Sequence, residues 1–366
     1  MKKTTEFLRM QRLWLCVIAA AAVLSCGGGG GGGGGGPYNP PGSIPDGGGE
    51  EPNDDFALGI EMVLINCGTF FMGSPAAEPS RDVNETQHKV TLTEDFYIGR
   101  YPVTQKQFFD VMGGSIEERQ ELSMPGDTSN YGRGKNYPMY FVNWYEAVIF
   151  CNKLSELEGY TPSYHLNGET DTDKWVEDYG DIPAIWNKSS PWNSIGIVSG
   201  STGYRLPTEA QWEYARRGDY LNKSTEEDTK PFGIGDGTKM TSGMANFNGK
   251  KPYDIAEGGD YDDPEGIYLE QTIPVGKYGD VNAEANSYGL YDMYGNVNDW
   301  CWDWYAAFSS AAETDPEGSV VSYATRILRG GSWLSVGMNL RSAKRGTLNP
   351  NTRNSGTGFR LVRPSL

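Results

Sequence analysis

An unbroken run of glycines, Gly27 to Gly36, divides the chain into parts that cannot share a core. It continues into a proline- and glycine-rich stretch reaching about Asp55, which carries too few apolar side chains to offset the entropy of ordering it. The segment reads as a tether. As a flexible coil of about thirty residues it spans roughly 30 Å, at about 5–6 Å times the square root of its length. A phosphate-binding loop needs a strand before its glycines and a helix after them, and this run has neither.

Ahead of the run, Lys2, Lys3, Arg9 and Arg12 precede the apolar stretch Leu13 to Leu24, the order of charge and apolarity found in export signals. The stretch is shorter than the roughly 20 apolar residues that span a bilayer. It ends in Val23-Leu24-Ser25-Cys26, which resembles the lipobox of bacterial lipoproteins. That resemblance implies cleavage before Cys26 and lipidation of its thiol; the alternative is an ordinary secretory signal that carries a cysteine near its cleavage site. The expected layout is a lipoprotein signal over 1–25, a lipidated Cys26 with its tether over 26–55, and a folded domain over 56–366, anchored by lipid to a membrane of the bacterial cell envelope.

The folded part is long enough for one large domain, and no internal repeat or second linker divides it. A net charge of -17 argues against nucleic acid and anionic membrane surfaces as partners. With Cys16 removed in the signal and Cys26 carrying lipid, Cys67, Cys151 and Cys301 remain. They permit one disulfide and a free thiol, or three free thiols, of which buried free thiols are the favoured reading. His88 and His165 are the only histidines, which leaves few members for a histidine-rich metal site or a hydrolytic triad.

Met62 to Ile65, Phe70 to Ser74, Val90 to Thr93 and Phe96 to Ile98 predict short strands. Thr104 is placed to cap a helix carrying Phe108, Val111 and Met112, and Ala147, Phe150, Cys151, Leu154 and Leu157 recur at helical spacing up to a stop at Gly159. Thr208-Glu209-Ala210-Gln211 matches a capping box, opening a helix that buries Trp212 and Ala215 and ends at Gly218. Beyond Gly218 periodicity fades into glycine, asparagine, aspartate and aromatic residues, so long ordered loops are expected. Early helices, scattered short strands and late loops make the class α+β.

Six landmarks in this order, FFMGS, DFYIGRYPVTQKQF, FVNWYEAVIFCNKLS, GYRLPTEAQWEYARRG, YGLYDMYGNVNDWCWDWY with ILRGGSW, and GFRLVR, resemble the formylglycine-generating, or sulfatase-modifying factor, family over about Met62 to Arg363. The resemblance implies a loop-rich, C-type-lectin-like fold stabilised by calcium. Active members oxidise a cysteine of a client sulfatase, in a Cys-x-Pro-x-Arg segment, with Cu(I) held by two thiolates. Counted from Trp333, the positions of those thiols are Ser335 and Leu340 here, so no catalytic residue carries over and copper is not expected. The carbon–sulfur-bond-forming branch needs histidines from an added helical domain, which the chain lacks. For calcium, Asp292, Gly295 and Val297 match carbonyl ligands and Asp299 the acidic one; Asn246 and Phe247 match the start of a second site, for which Asp260, Asp262 and Asp263 are further candidates. Three functions compete. The leading one is a non-catalytic binding or scaffold module for an envelope protein or peptide segment; the others are an oxidase and a glycan-binding module.

Overall fold

The computed structural model describes residues 58–218, 229–277, 285–319 and 324–365. The expected signal, Cys26 and the tether lie outside the described residues.

Helices form where the sequence closes their free N–H groups. In α1 (Gln105–Met112) the Thr104 hydroxyl accepts the N–H of Gln107 at 3.2 Å, while the Gln107 side chain accepts the N–H of Thr104 at 2.9 Å. The same reciprocal box, worth about 1 kcal/mol, opens α2 (Ile116–Ser123) with Ser115 and Glu118, α3 (Trp144–Leu157) with Asn143 and Glu146, and α5 (Glu209–Arg217) with Thr208 and Gln211. Asp171 caps α4 (Thr172–Tyr179) alone. The predicted one-sided pattern of α3 is broader in the structure: every residue from Trp144 to Asn152 is buried, as in a helix surrounded by core. Glu146 survives there because Arg119 and Arg353 bind it at 2.9 and 2.7 Å.

The strands gather into small sheets. β1 (Met62–Ile65) pairs antiparallel with β4 (Phe96–Gly99), whose other edge takes β15 (Val362–Pro364) near the C-terminus. β2 (Gly68–Met72) pairs with β3 (His88–Leu92), and β11 (Glu313–Thr314) adds to β3 in parallel. The late, loop-rich half contains one long strand, β10 (Asn298–Trp304), flanked by β12 (Arg326–Arg329) and β14 (Thr357–Gly358), with β13 (Gly346–Leu348) outside β12. A pair and a triplet of short strands complete the set: β5 (Tyr164–Leu166) with β6 (Ile195–Ile197), and β7 (Lys239–Met240) with β8 (Tyr253–Asp254) and β9 (Gly259–Asp260).

One hydrophobic cluster surrounds α3, with Trp144, Phe150, Trp175, Trp192, Trp300 and Phe359; the second surrounds α5, with Phe70, Trp212, Phe232, Tyr294, Ile327 and Leu340. Buried arginines tie the segments together. Arg217 and Arg329 both bind Glu213, Arg345 binds Glu209, and Arg341 reaches Glu78 and Glu85. Arg326 sits between Trp144 and Trp304, 3.7 and 3.6 Å from the ring centres, a cation–π cage that offsets part of its desolvation. Cys151 and Cys301 are buried free thiols as expected, but Cys67 is exposed: it follows β1 in the short link to β2, where its N–H donates to Asp95 and its side chain has no core to enter. No helix among the described residues is long and apolar enough to cross a membrane.

Candidate functional site

β12 delivers the chain into Gly330-Gly331-Ser332-Trp333. Both glycines hold positive φ, +103° and +73°, a region that disfavours side chains. A Cβ on Gly331 would press on the Asn339 carbonyl and the Leu340 side chain. The turn places Trp333 on Tyr131 and Tyr268, with ring centres 5.8 and 6.4 Å away, and its indole N–H donates to the Ser355 carbonyl at 3.0 Å.

Ser335 and Leu340 then take structural places. The Ser335 hydroxyl accepts the N–H of Ser332 at 2.9 Å, and the Ser335 N–H donates back to the Ser332 carbonyl at 2.9 Å. Leu340 is fully buried in the α5 cluster, and its carbonyl accepts from Arg216. Neither position offers a thiolate, and no cysteine among the described residues stands in for one. Cys151 lies on α3 and Cys301 on β10, where burial pushes both thiols up, away from the reactive form.

The other predicted residues converge better. Asp292 (φ +53°) and Gly295 (φ +84°) shape a loop leading into β10, with Val297 in the core and Asp299 on the strand. Asn246 lies against Gly295 in a parallel bridge, and its carbonyl accepts the Asn296 N–H at 2.8 Å. A side chain on Gly295 would run into that carbonyl. Phe247 packs in the core. The acidic stretch does not join them as a cluster: Asp260 caps the Met338 N–H at 2.6 Å, Asp262 pairs with Lys251, and Asp263 accepts from Glu265 at 3.1 Å. Among the described residues no three histidine, cysteine, aspartate or glutamate side chains gather as a metal site; the expected ion would have to rest on carbonyls and Asp299.

Asp299 is buried, and one of its oxygens accepts from the Trp212 indole at 2.9 Å and from Arg360 Nε at 2.6 Å. The other is buried without a hydrogen-bond partner. An orphaned carboxylate oxygen suits a hard cation. Burial pushes the Asp292 carboxyl up to about 6, against the N–H of Gly276 at 2.7 Å. The sequence reading missed Arg360, whose guanidinium also binds the carbonyls of Gly99 and Tyr291 at 3.0 Å each and that of Asp292 at 3.3 Å. Its only signal was an arginine inside GFRLVR.

Comparison with known proteins gives a consistent picture. Residues 51–365 match the family described as Sulfatase-modifying factor enzyme 1-like domain. The chaperone protein LppX of Paenibacillus barcinonensis is 34% identical over 311 residues, 83% of this chain and 89% of its own length. The formylglycine-generating enzyme of Thermomonospora curvata is 26% identical over 322 residues, 83% and 94% of the two chains. Among solved structures, Treponema denticola variable protein 1 superposes with a TM-score of 0.61 at 26% identity, covering 84% of this chain and 95% of that one.

Proposed function

The chain belongs to the family of sulfatase-modifying factor enzyme 1-like domains, and from that premise we propose that it acts as a lipid-anchored, non-catalytic binding or scaffold module of the bacterial cell envelope. The observation that carries the reading is the state of the loop after Trp333. A hydroxyl committed to its own turn and an isobutyl group sealed in the core give Cu(I) no soft ligand. What persists is the architecture that a binding protein needs: a rigid turn, packed aromatics and loops held by buried ion pairs. A relative named a chaperone, matched over 89% of its length, supports binding without turnover. The lipobox-like Val23-Leu24-Ser25-Cys26 supports the anchor, and an envelope protein or peptide segment is the partner class.

Calcium is the structural ion of this reading, held by the carbonyls of Asp292, Gly295 and Val297 with Asp299; a second ion starts at Asn246 and Phe247. The bound ion would supply charge to a loop region that has little regular hydrogen bonding of its own. The deciding experiment incubates the purified protein with copper, oxygen, reductant and a Cys-x-Pro-x-Arg peptide. Unchanged peptide mass is expected. Catalytic aldehyde formation, lost when the domain is denatured, overturns the reading. Crosslinking in native cells, compared between the protein and its Cys26→Ser variant, identifies the envelope partner.

A further inference from the structure

A cavity of about 280 Å³ opens where the start of β3, the N-terminus of α5 and the end of β10 meet the loop that follows β10. It shares no lining residue with the Gly330–Leu340 turn or the Asp292–Asp299 loop. Met72, Trp304 and Phe308 form apolar wall, and His88, Glu209, Asp303, Glu313 and Arg345 supply the polar lining.

Two of these polar side chains are buried yet only half satisfied. Asp303 is 4% exposed; one oxygen accepts the N–H of Glu209 at 2.7 Å, capping α5, and the other has no donor among the described residues. His88 is also 4% exposed, with Nδ1 3.0 Å from the carbonyl oxygen of Thr86. A carbonyl can only accept, so Nδ1 carries the hydrogen; when the ring is neutral, Nε2 is an acceptor. Glu313 adds a third acceptor group at the half-buried rim.

The arginine donors around the cavity are committed elsewhere. Arg345 gives Nε and Nη2 to Glu209, each at 2.7 Å, and Nη1 to the carbonyls of Ala306 and Asn84 at 2.9 and 3.3 Å. Its guanidinium carbon lies over Phe308, 3.7 Å from the ring centre. Arg326 is enclosed by its tryptophans and donates to the Trp302 carbonyl. Glu209 therefore takes the paired hydrogen bonds of Arg345, while Asp303, with Arg345 and Arg326 nearby, is hydrogen-bonded by a neutral N–H only. A lining with three carboxylates and one arginine that is already committed repels carboxylates and phosphates and selects a ligand rich in N–H.

We infer that this cavity binds a small ligand bearing a primary ammonium group, whose donors meet Asp303, His88 and Glu313 while its alkyl or aryl body lies against Met72, Trp304 and Phe308. The ammonium gives Asp303 a hydrogen-bonded cation, which the nearby Arg345 and Arg326 do not provide. Burial, reinforced by Glu209, pushes Asp303 up to about 7, as befits a carboxylate short of countercharge. This site stands whether or not the anchored-scaffold reading holds, since it involves neither Cys26 nor the loop after Trp333.

Titration calorimetry on the detergent-purified full-length protein tests it with three probes of one shape class: phenethylammonium, phenethyl alcohol and hydrocinnamate. Phenethylammonium is expected to saturate a single site, and the neutral and anionic probes are expected to show none. Asp303→Asn should weaken the ammonium at least about tenfold. Thermal melting shows whether that variant is folded; Glu313→Gln at the rim and Phe308→Ala on the wall test the same site if it is not, each with an expected loss of several-fold. No saturable heat up to about 50 mM phenethylammonium, equal binding of all three probes, or unchanged affinity in both Glu313→Gln and Phe308→Ala overturns the assignment.

Discussion

Replacing Asp299 by asparagine separates two roles that meet in one carboxylate. Asparagine keeps an oxygen for the Trp212 indole but removes the negative charge facing Arg360, which is fully buried. Breaking a buried ion pair from one side costs about 3–5 kcal/mol, and the retained hydrogen bond places this change near the lower end. For a domain of this size each kcal/mol moves the melting midpoint by about 2 °C, so the variant in chelator should melt about 6 °C below the parent. Calcium adds a second, independent term. An ion at a hundredfold its dissociation constant stabilises the folded parent by about 2.7 kcal/mol, or about 5 °C on the same scale, and the variant should lose most of that response. Melting followed by circular dichroism, with and without chelator, reads both terms. A variant melting within about 1 °C of the parent in chelator refutes the ion-pair reasoning. A parent unmoved by chelation, after calcium has been shown to be bound, refutes the ion.

Cys26→Ser should abolish metabolic lipid labelling and stall signal processing; unchanged labelling refutes the anchor. Ser335→Cys with Leu340→Cys should yield a protein that binds Cu(I), at a cost of about 2–4 kcal/mol for the cavity left by Leu340, whereas the parent binds none by competition with a chromogenic chelator. Two buried carboxylates should tilt stability against pH in opposite directions. Asp303, raised to about 7 from 3.8 by burial and Glu209, contributes stability in full below its unfolded value, and that share fades as pH rises towards about 7. It is faced by Glu209, Arg345 and Arg326, with His88 and Glu313 across the cavity, so Asp303→Asn should flatten the decline; an unchanged slope refutes it. For Glu146, burial raises the carboxyl but Arg119 and Arg353 outweigh it and hold it at about 2. Its share is complete above 4.5 and is lost as pH falls towards about 2, which denaturant midpoints through the acid range should show and Glu146→Gln should remove.

The capped helices were legible because their signals are local. Thr104 and Thr208 each bind a residue three positions on, and the structure reproduces both starts. β10 was not legible as a strand. Trp300 and Cys301 are both buried, one in each core cluster, so the alternation that marks a half-exposed strand is absent. The ion pairs were invisible for a different reason: Arg345 meets Glu209 across 136 positions and Arg341 meets Glu85 across 256, and no local pattern encodes such a partner. The loop after Trp333 was legible in its chemistry, since residue identity alone removes the thiols. The ammonium cavity was not, because His88, Glu209 and Asp303 come from separate elements, and the motifs that hold Glu209 and Asp303 give no sign that the two meet.

The pairing of β15 with β4 orders events in the making of the protein. Arg360 binds the carbonyl of Gly99 across 261 positions, and Val362 lies opposite Ile98. At synthesis rates of about 5–20 residues per second, β4 waits on the order of 13–50 s for its second neighbour. Throughout that interval its outer edge offers unpaired N–H and C=O groups to any passing strand. A chain stopped short of Phe359 keeps that edge open permanently, so loss of the last few residues should turn a soluble domain into one that associates with its own copies.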